Sequence, residues 1–265
     1  MKIYISADIE GVAGIANWDE TSRTKSDYPF FKTEMINEVR AACEGANLAG
    51  AKEIWIKDAH ASGRNLELDQ LPLNTRLIRV FNGHPFGMMQ ELDDTFDAVV
   101  MIGYHSYADS DHNPLAHTLS GALAYLKING QYASEFLVNT YTASSVGVPV
   151  VFVSGDIGLC EHIKQINSRI ITVGLNQGRG KSVISIHPQV AFTQIKEGVQ
   201  QALQGDYAQW QTPLPQSFEV ELSFNEHIKS YRAAFYPGMK RVSTRNLRFE
   251  TDDYFEVLRM LSFIM

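Results

Sequence analysis

The segment Ile3-Tyr4-Ile5-Ser6-Ala7-Asp8-Ile9-Glu10-Gly11 holds a short apolar run that gives way at once to two carboxylates. The same pattern recurs three times. Ile54-Trp55-Ile56 leads to Asp58 and His60, Ala98 to Ile102 leads to His105, and Val148 to Val153 leads to Asp156. Short, continuous, β-branched runs describe strands buried on both faces, as in a parallel sheet covered by helices. Between the first two runs, Met35, Val39, Ala42, Cys43 and Ala46 keep the spacing of one helix face, and Gly50 stands where a C-terminal cap is expected. Alternation of strand and helix implies right-handed crossovers and a three-layer α/β/α sandwich with a largely parallel sheet. Ligands of such a fold bind beyond the carboxyl ends of the strands. All four polar clusters fall at that edge.

The last third has a different rhythm. Ala191, Ile195, Val199 and Ala202 mark a helix over 188–203, and a polar, proline-bearing stretch follows at 209–216. Phe218, Val220, Leu222 and Phe224 then alternate with polar residues, as in a strand with one buried face. A helix near 226–234, a Pro237-Gly238 turn, a strand near 245–250 and a helix from Asp253 complete the chain. The expectation is a catalytic α/β domain over 1–165 followed by a smaller α+β domain over 166–265.

A length of 265 residues with 45% hydrophobic content is ample for a sizeable core. The 23 Lys+Arg against 30 Asp+Glu leave a net charge of -7 without long blocks of either sign, which argues against nucleic acid as a partner. Cys43 and Cys160 lie far apart in apolar stretches and read as buried thiols rather than a disulfide or a thiolate zinc site. Met1-Lys2 runs directly into a strand without a signal-peptide core, and no apolar run approaches the ~18 residues of a membrane span. A cytoplasmic protein with no membrane partner is expected.

Asp8 and Glu10, two apart on an extended segment, point to the same side while Ile9 points inward, so they can present two hard oxygen ligands. His60 and His105 add imidazoles at the same edge, and imidazole with carboxylate is a zinc donor set. Each residue alone has an ordinary explanation, a solvated loop acid or a hydrogen-bonded histidine; agreement among three strand ends favours a metal. Glu135 opens an apparent helix, where a first-turn glutamate also suits the helix dipole. Spacing alone does not place His117. Asp58 suits either an acceptor for His60 or a turn cap, and Asp156 either support for the edge or a helix N-cap. Gly11 and Gly14 lack the dinucleotide fingerprint, and Gly180-Lys181-Ser182 lacks the upstream glycine of a P-loop.

Together these motifs carry a resemblance. Ser6-Ala7-Asp8-Ile9-Glu10-Gly11 resembles the Ser-x-Asp-x-Glu-Gly signature of the DppA-type D-aminopeptidases, a zinc metallopeptidase family. Asp58-Ala59-His60-Ala61, Gly103-Tyr104-His105, Ala116-His117-Thr118, Ile128-Asn129-Gly130 before Glu135, and Val153-Ser154-Gly155-Asp156 follow in the family's order. The resemblance implies that Asp8, Glu10, His60, His105 and Glu135 hold two zinc ions (Zn2+) per chain, with Asp8 bridging, and that His117 is the catalytic histidine. It implies removal of the N-terminal residue from short peptides, with D-amino acids such as D-alanine preferred, by a ring-shaped homo-oligomer of decameric type enclosing its active sites. Ser134 stands before Glu135 where the family has glycine, which bears on pocket shape. Gln177 to Lys181 resembles a Gly-Arg segment that would bring positive charge to a substrate carboxylate; a surface loop is the plain reading. Two other functions share these residues: a two-metal amidase or phosphoesterase, and a non-catalytic peptide-binding protein of the same fold.

Overall fold

Two sheets and seven α-helices account for the regular structure of the chain, a computed structural model describing all residues from Met1 to Met265. The strands of the first half are β1 (Lys2–Ala7), β2 (Glu53–Asp58), β3 (Thr75–Ile78), β4 (Ala98–Tyr104), β5 (Leu123–Ile128) and β6 (Gln131–Tyr132). Those of the second half are β7 (Val150–Asp156), β8 (Ile171–Arg179), β9 (Ser182–Ser185), β10 (Phe218–Phe224), β11 (Lys240–Arg241) and β12 (Asn246–Thr251). The helices are α1 (Trp18–Thr21), α2 (Tyr28–Leu48), α3 (Glu135–Ser145), α4 (Ile157–Ile166), α5 (Pro188–Gln204), α6 (His227–Ala233) and α7 (Tyr254–Ile264).

The larger sheet runs β3-β2-β1-β4-β7-β8-β9 and is parallel except for β9, which returns against β8 as a hairpin. Its four apolar runs are the strands expected of them, and β1 lies at the centre between β2 and β4. Neighbouring residues on a strand point to opposite faces. Ile3, Ile5, Val100 and Ile102 therefore join a core with α2 and α5, whereas Tyr4, Val99, Met101 and Val153 join a second core with α3, α4 and the smaller sheet. This makes the expected three layers, with the smaller sheet added on one side. No helix is long and apolar enough to cross a membrane.

The division of the sheets does not follow the expected boundary at residue 165. The smaller sheet runs β11-β12-β10-β5-β6, so β5 and β6 join it from before that point, while β8, β9 and α5 complete the larger sheet from after it. Alternation in a strand reveals that one face is buried. It does not reveal which strand lies alongside.

One residue of α2 breaks its apolar stripe. Glu38 is fully buried, its Oε1 accepting from Ala13 N at 2.8 Å and its Oε2 without a partner. Burial, only partly offset by the Ala13 hydrogen bond, pushes its carboxyl up to about 8. Below the ordinary carboxylate range the group is neutral in both folded and unfolded chains; between there and about pH 8 only the unfolded chain releases the proton. Stability is therefore lost as pH rises through that window, at about 1.4 kcal/mol for each pH unit crossed. Glu38→Gln keeps the acceptor and removes the charge, so its melting temperature should fall less between pH 5 and 8 than that of the native chain. Parallel melting curves would contradict a protonated Glu38.

Candidate metal centre

The sheet ends assemble the site. Asp8 follows β1 directly, His105 follows β4, and His60 stands two residues past β2. The strand stops at Ala7, and residues 8 to 12 form a turn closed by Val12 N donating to Ile9 O, rather than the extended segment expected. Asp8 and Glu10 nevertheless face the same imidazole, and Ile9 is buried in the core with α2 and α5. Two glycines permit this packing. A Cβ on Gly11 would stand 1.8 Å from the Tyr104 carbonyl oxygen, and one on Gly103, at φ +69, would stand 2.3 Å from that of Asp8. The turn is further held by Asn176, whose Nδ2 donates to Val12 O at 2.8 Å and whose Oδ1 accepts from Gly14 N at 3.1 Å.

Asp8, Glu10, His60, His105 and Glu135 are all buried within the centre. Asp8 faces two ways: Oδ1 lies 3.3 Å from His60 Nδ1 and Oδ2 lies 3.6 Å from His105 Nε2. Glu10 Oε2 is 3.1 Å from His60 Nδ1. Glu135, the first residue of α3 behind the Ser134 N-cap, places Oε2 3.5 Å from His105 Nε2 and Oε1 3.5 Å from His117 Nε2. His117 stacks on His105 with centroids 4.3 Å apart. Donor atoms of Asp8, Glu10 and His105, and separately of His105, His117 and Glu135, lie within 4.8 Å of one another. His117 thus sits closer to the donor set than its spacing revealed.

Every imidazole is oriented by a backbone carbonyl. His60 Nε2 donates to Thr21 O at 3.0 Å, His105 Nδ1 to Ser106 O at 2.9 Å and His117 Nδ1 to Leu115 O at 2.9 Å. Each bond leaves the other ring nitrogen turned towards the carboxylates, the orientation from which a histidine can hold a metal. Asp156 supports this from behind. It caps α4 through Leu159 N at 2.8 Å and also accepts from Ser106 N at 2.7 Å, so both of its expected roles are filled by one carboxylate. Asp58 instead organises the loop after β2, accepting from Asn65 N at 2.5 Å and Leu66 N at 2.8 Å, while His60 uses Thr21.

The charge balance favours a cation. Asp8, Glu10 and Glu135 have no lysine or arginine partner, and Glu10 Oε2 and His105 Nε2 have no hydrogen-bond partner despite full burial. Desolvation opposes a charged imidazole at His105, yet Glu135 and Asp8 outweigh it and lift the group to about 10. His60 is likewise raised well above its ordinary value against burial, by Glu10 and Asp8. Burial would raise the Glu135 carboxyl, but His105 and His117 bring it down to about 2. Three buried carboxylates that draw positive charge onto neighbouring histidines form a receptacle for cations. Oxygen and imidazole donors without sulfur fit zinc. The thiols stand apart: Cys43 and Cys160 are free and buried, each pushed up to about 12 by burial.

Asp8, Glu10, His60, His117 and Glu135 line a cavity of about 760 Å³, with His105 buried behind them and Trp18, Phe81 and Met88 giving it an apolar wall. Leu119, held at φ +61, donates its N–H to Glu135 Oε1 at 2.8 Å, a strained backbone placed against the site. Residues 177–181 do not reach this cavity. They form the β8–β9 hairpin, where Gly178 N donates to His112 O at 2.9 Å. The cavity's cationic side chains are Arg23 and Arg64, which carry no motif that would single them out in the sequence. Glu38 does carry a signal, as an acid three residues from Met35 on the apolar stripe.

Comparison with known proteins agrees with this arrangement. A family model described as D-aminopeptidase matches residues 1–263. A D-aminopeptidase of Bacillus subtilis strain 168 is 26% identical over 264 residues, which span 98% of this chain and 95% of that protein. A solved structure described as the Zn-dependent D-aminopeptidase DppA from Bacillus subtilis, a self-compartmentalizing protease, superposes with a TM-score of 0.92 at 25% identity, covering 100% of this chain and 96% of that one. A match running from the first strand into the last helix, with the same fold throughout, shows that this chain is an enzyme belonging to the D-aminopeptidase family of metallopeptidases.

Proposed function

We propose that the protein is a dinuclear zinc aminopeptidase removing the N-terminal residue of short peptides, D-alanyl peptides foremost. The observation that carries this reading is Asp8, whose two oxygens face different histidines within one buried set of acids. Asp8, Glu10, His60, His105 and Glu135 would hold the metal. Zinc bound there supplies Lewis acidity, which polarises a scissile carbonyl and acidifies water. His117 contributes the mobile proton chemistry. Because its Nδ1–H is committed to Leu115 O, its Nε2 is free to act as base, shuttle or nucleophile towards the cavity. Glu135 lies close enough to stabilise the imidazolium formed by proton uptake, and Leu119 N holds that carboxylate in place. Trp18 packs edge-on against His117 at 5.3 Å and limits solvent on that side.

Preference for D-residues is supported by the family and by the relatives' names; the donor set itself is indifferent to the hand of the substrate. The self-compartmentalizing neighbour likewise supports a homo-oligomer; we take it to be a decameric ring acting in the cytoplasm on peptides small enough to enter. Purified protein should carry about two zinc ions per chain, lose hydrolysis of D-alanyl peptides on chelation and recover it on adding zinc. A panel of D- and L-alanyl dipeptides, aminoacyl amides and a phosphate monoester separates this activity from an amidase, a phosphoesterase or a peptide-binding protein. Chelator-insensitive hydrolysis with under one zinc per chain would overturn the dinuclear reading.

A further inference from the structure

The cavity is acidic at its floor and basic at its rim. Arg23 and Arg64 are its only lysine or arginine side chains, both are exposed, and neither guanidinium is paired with a carboxylate. Arg23 donates through Nη1 to the Arg64 backbone oxygen, and Arg64 Nε donates to Ser62 Oγ at 3.3 Å. Each retains free N–H groups, since a guanidinium carries five. Two adjacent cations with no carboxylate paired to either are poised for an anion from outside the chain.

The site's connectivity limits how far that anion lies from the catalytic floor. His60 Nε2 bonds Thr21 O at 3.0 Å, so the loops bearing both arginines are pinned together at the metal centre. Arg23 is two residues beyond Thr21 and Arg64 four beyond His60, which places their backbones within about 7 and 14 Å of those anchors. A peptide whose first bond is cut at the floor extends by up to about 3.6 Å with each further residue, so one or two further residues carry its carboxyl end about 4–7 Å towards these arginines. We infer that Arg23 and Arg64 bind the C-terminal carboxylate of the substrate, making the enzyme selective for di- and tripeptides with a free carboxyl end. This rests on the aminopeptidase reading above. A planar guanidinium suits a carboxylate because two N–H groups can meet its two oxygens.

The test compares D-Ala-D-Ala with its C-terminal amide, which presents the same scissile bond without the anion. The native, zinc-loaded enzyme should favour the free acid at least tenfold in kcat/KM, chiefly through KM, and should turn over longer D-alanyl peptides more slowly. In Arg64→Met, and more so with Arg23→Met added, that acid-to-amide ratio should fall towards one with zinc content retained; Arg64→Lys should recover part of it. Arg179→Met, at the hairpin outside the cavity, should keep the native ratio. An indifferent native enzyme, or variants that keep the native ratio while still hydrolysing the substrate, would overturn the assignment. Failure of the native enzyme to cut either compound would instead overturn the aminopeptidase reading, and the carboxylate assignment with it.

Discussion

Asp8→Ala is expected to lose metal and turnover together. Asp8 is the one side chain whose oxygens reach both His60 and His105, so its removal affects both halves of the donor set. Loss of an outer hydrogen-bond partner typically costs a metal site 10–100-fold in affinity, and loss of a shared ligand should cost more. Zinc should fall from about two to below one per chain, and hydrolysis by about 10³-fold or more. The fold should survive, because three mutually repelling buried carboxylates become two; circular dichroism and the melting curve check this. A variant that keeps its zinc and near-normal turnover would remove Asp8 from the centre.

His117→Ala should separate the two properties. If His117 moves the proton or attacks the substrate, the variant keeps its zinc while turnover drops by about 10²–10⁴, the range a positioned acid or base contributes. The same geometry defines the contrary outcome. His117 Nε2 is near Glu135 and shares a potential ligand group with His105, so a metal-binding role would show as loss of about one zinc per chain along with activity. Zinc analysis of the variant therefore decides between catalyst and ligand, and near-normal turnover would exclude both roles.

Much of this site is legible in the sequence. Buried parallel strands must be apolar along their length, so each announces itself as a run and its carboxyl end as the first polar residue after it. That places Asp8, His60 and His105 at one edge. Glu135 and His117 are not readable in this way, since one begins a helix and the other lies in a loop, and the family resemblance alone singles them out. The smaller sheet shows the same limit. β10 is plain from its alternation, but its pairing with β5 across almost a hundred residues is not.

Local sequence by itself determined four strands of the larger sheet, β1, β2, β4 and β7, with the helix between the first two, the polar edge where they end and the donor types gathered there, because these follow from periodicity and residue chemistry over a few neighbours. Tertiary structure decided the rest. It paired β5 with β10 across the expected boundary, turned each imidazole through a carbonyl from another part of the chain or its own loop, buried Glu38 beneath the turn after Glu10, and brought Arg23 and Arg64 rather than Arg179 to the cavity. These contacts join residues distant along the chain, and their strength depends on burial and orientation. Neither quantity exists until the chain has packed.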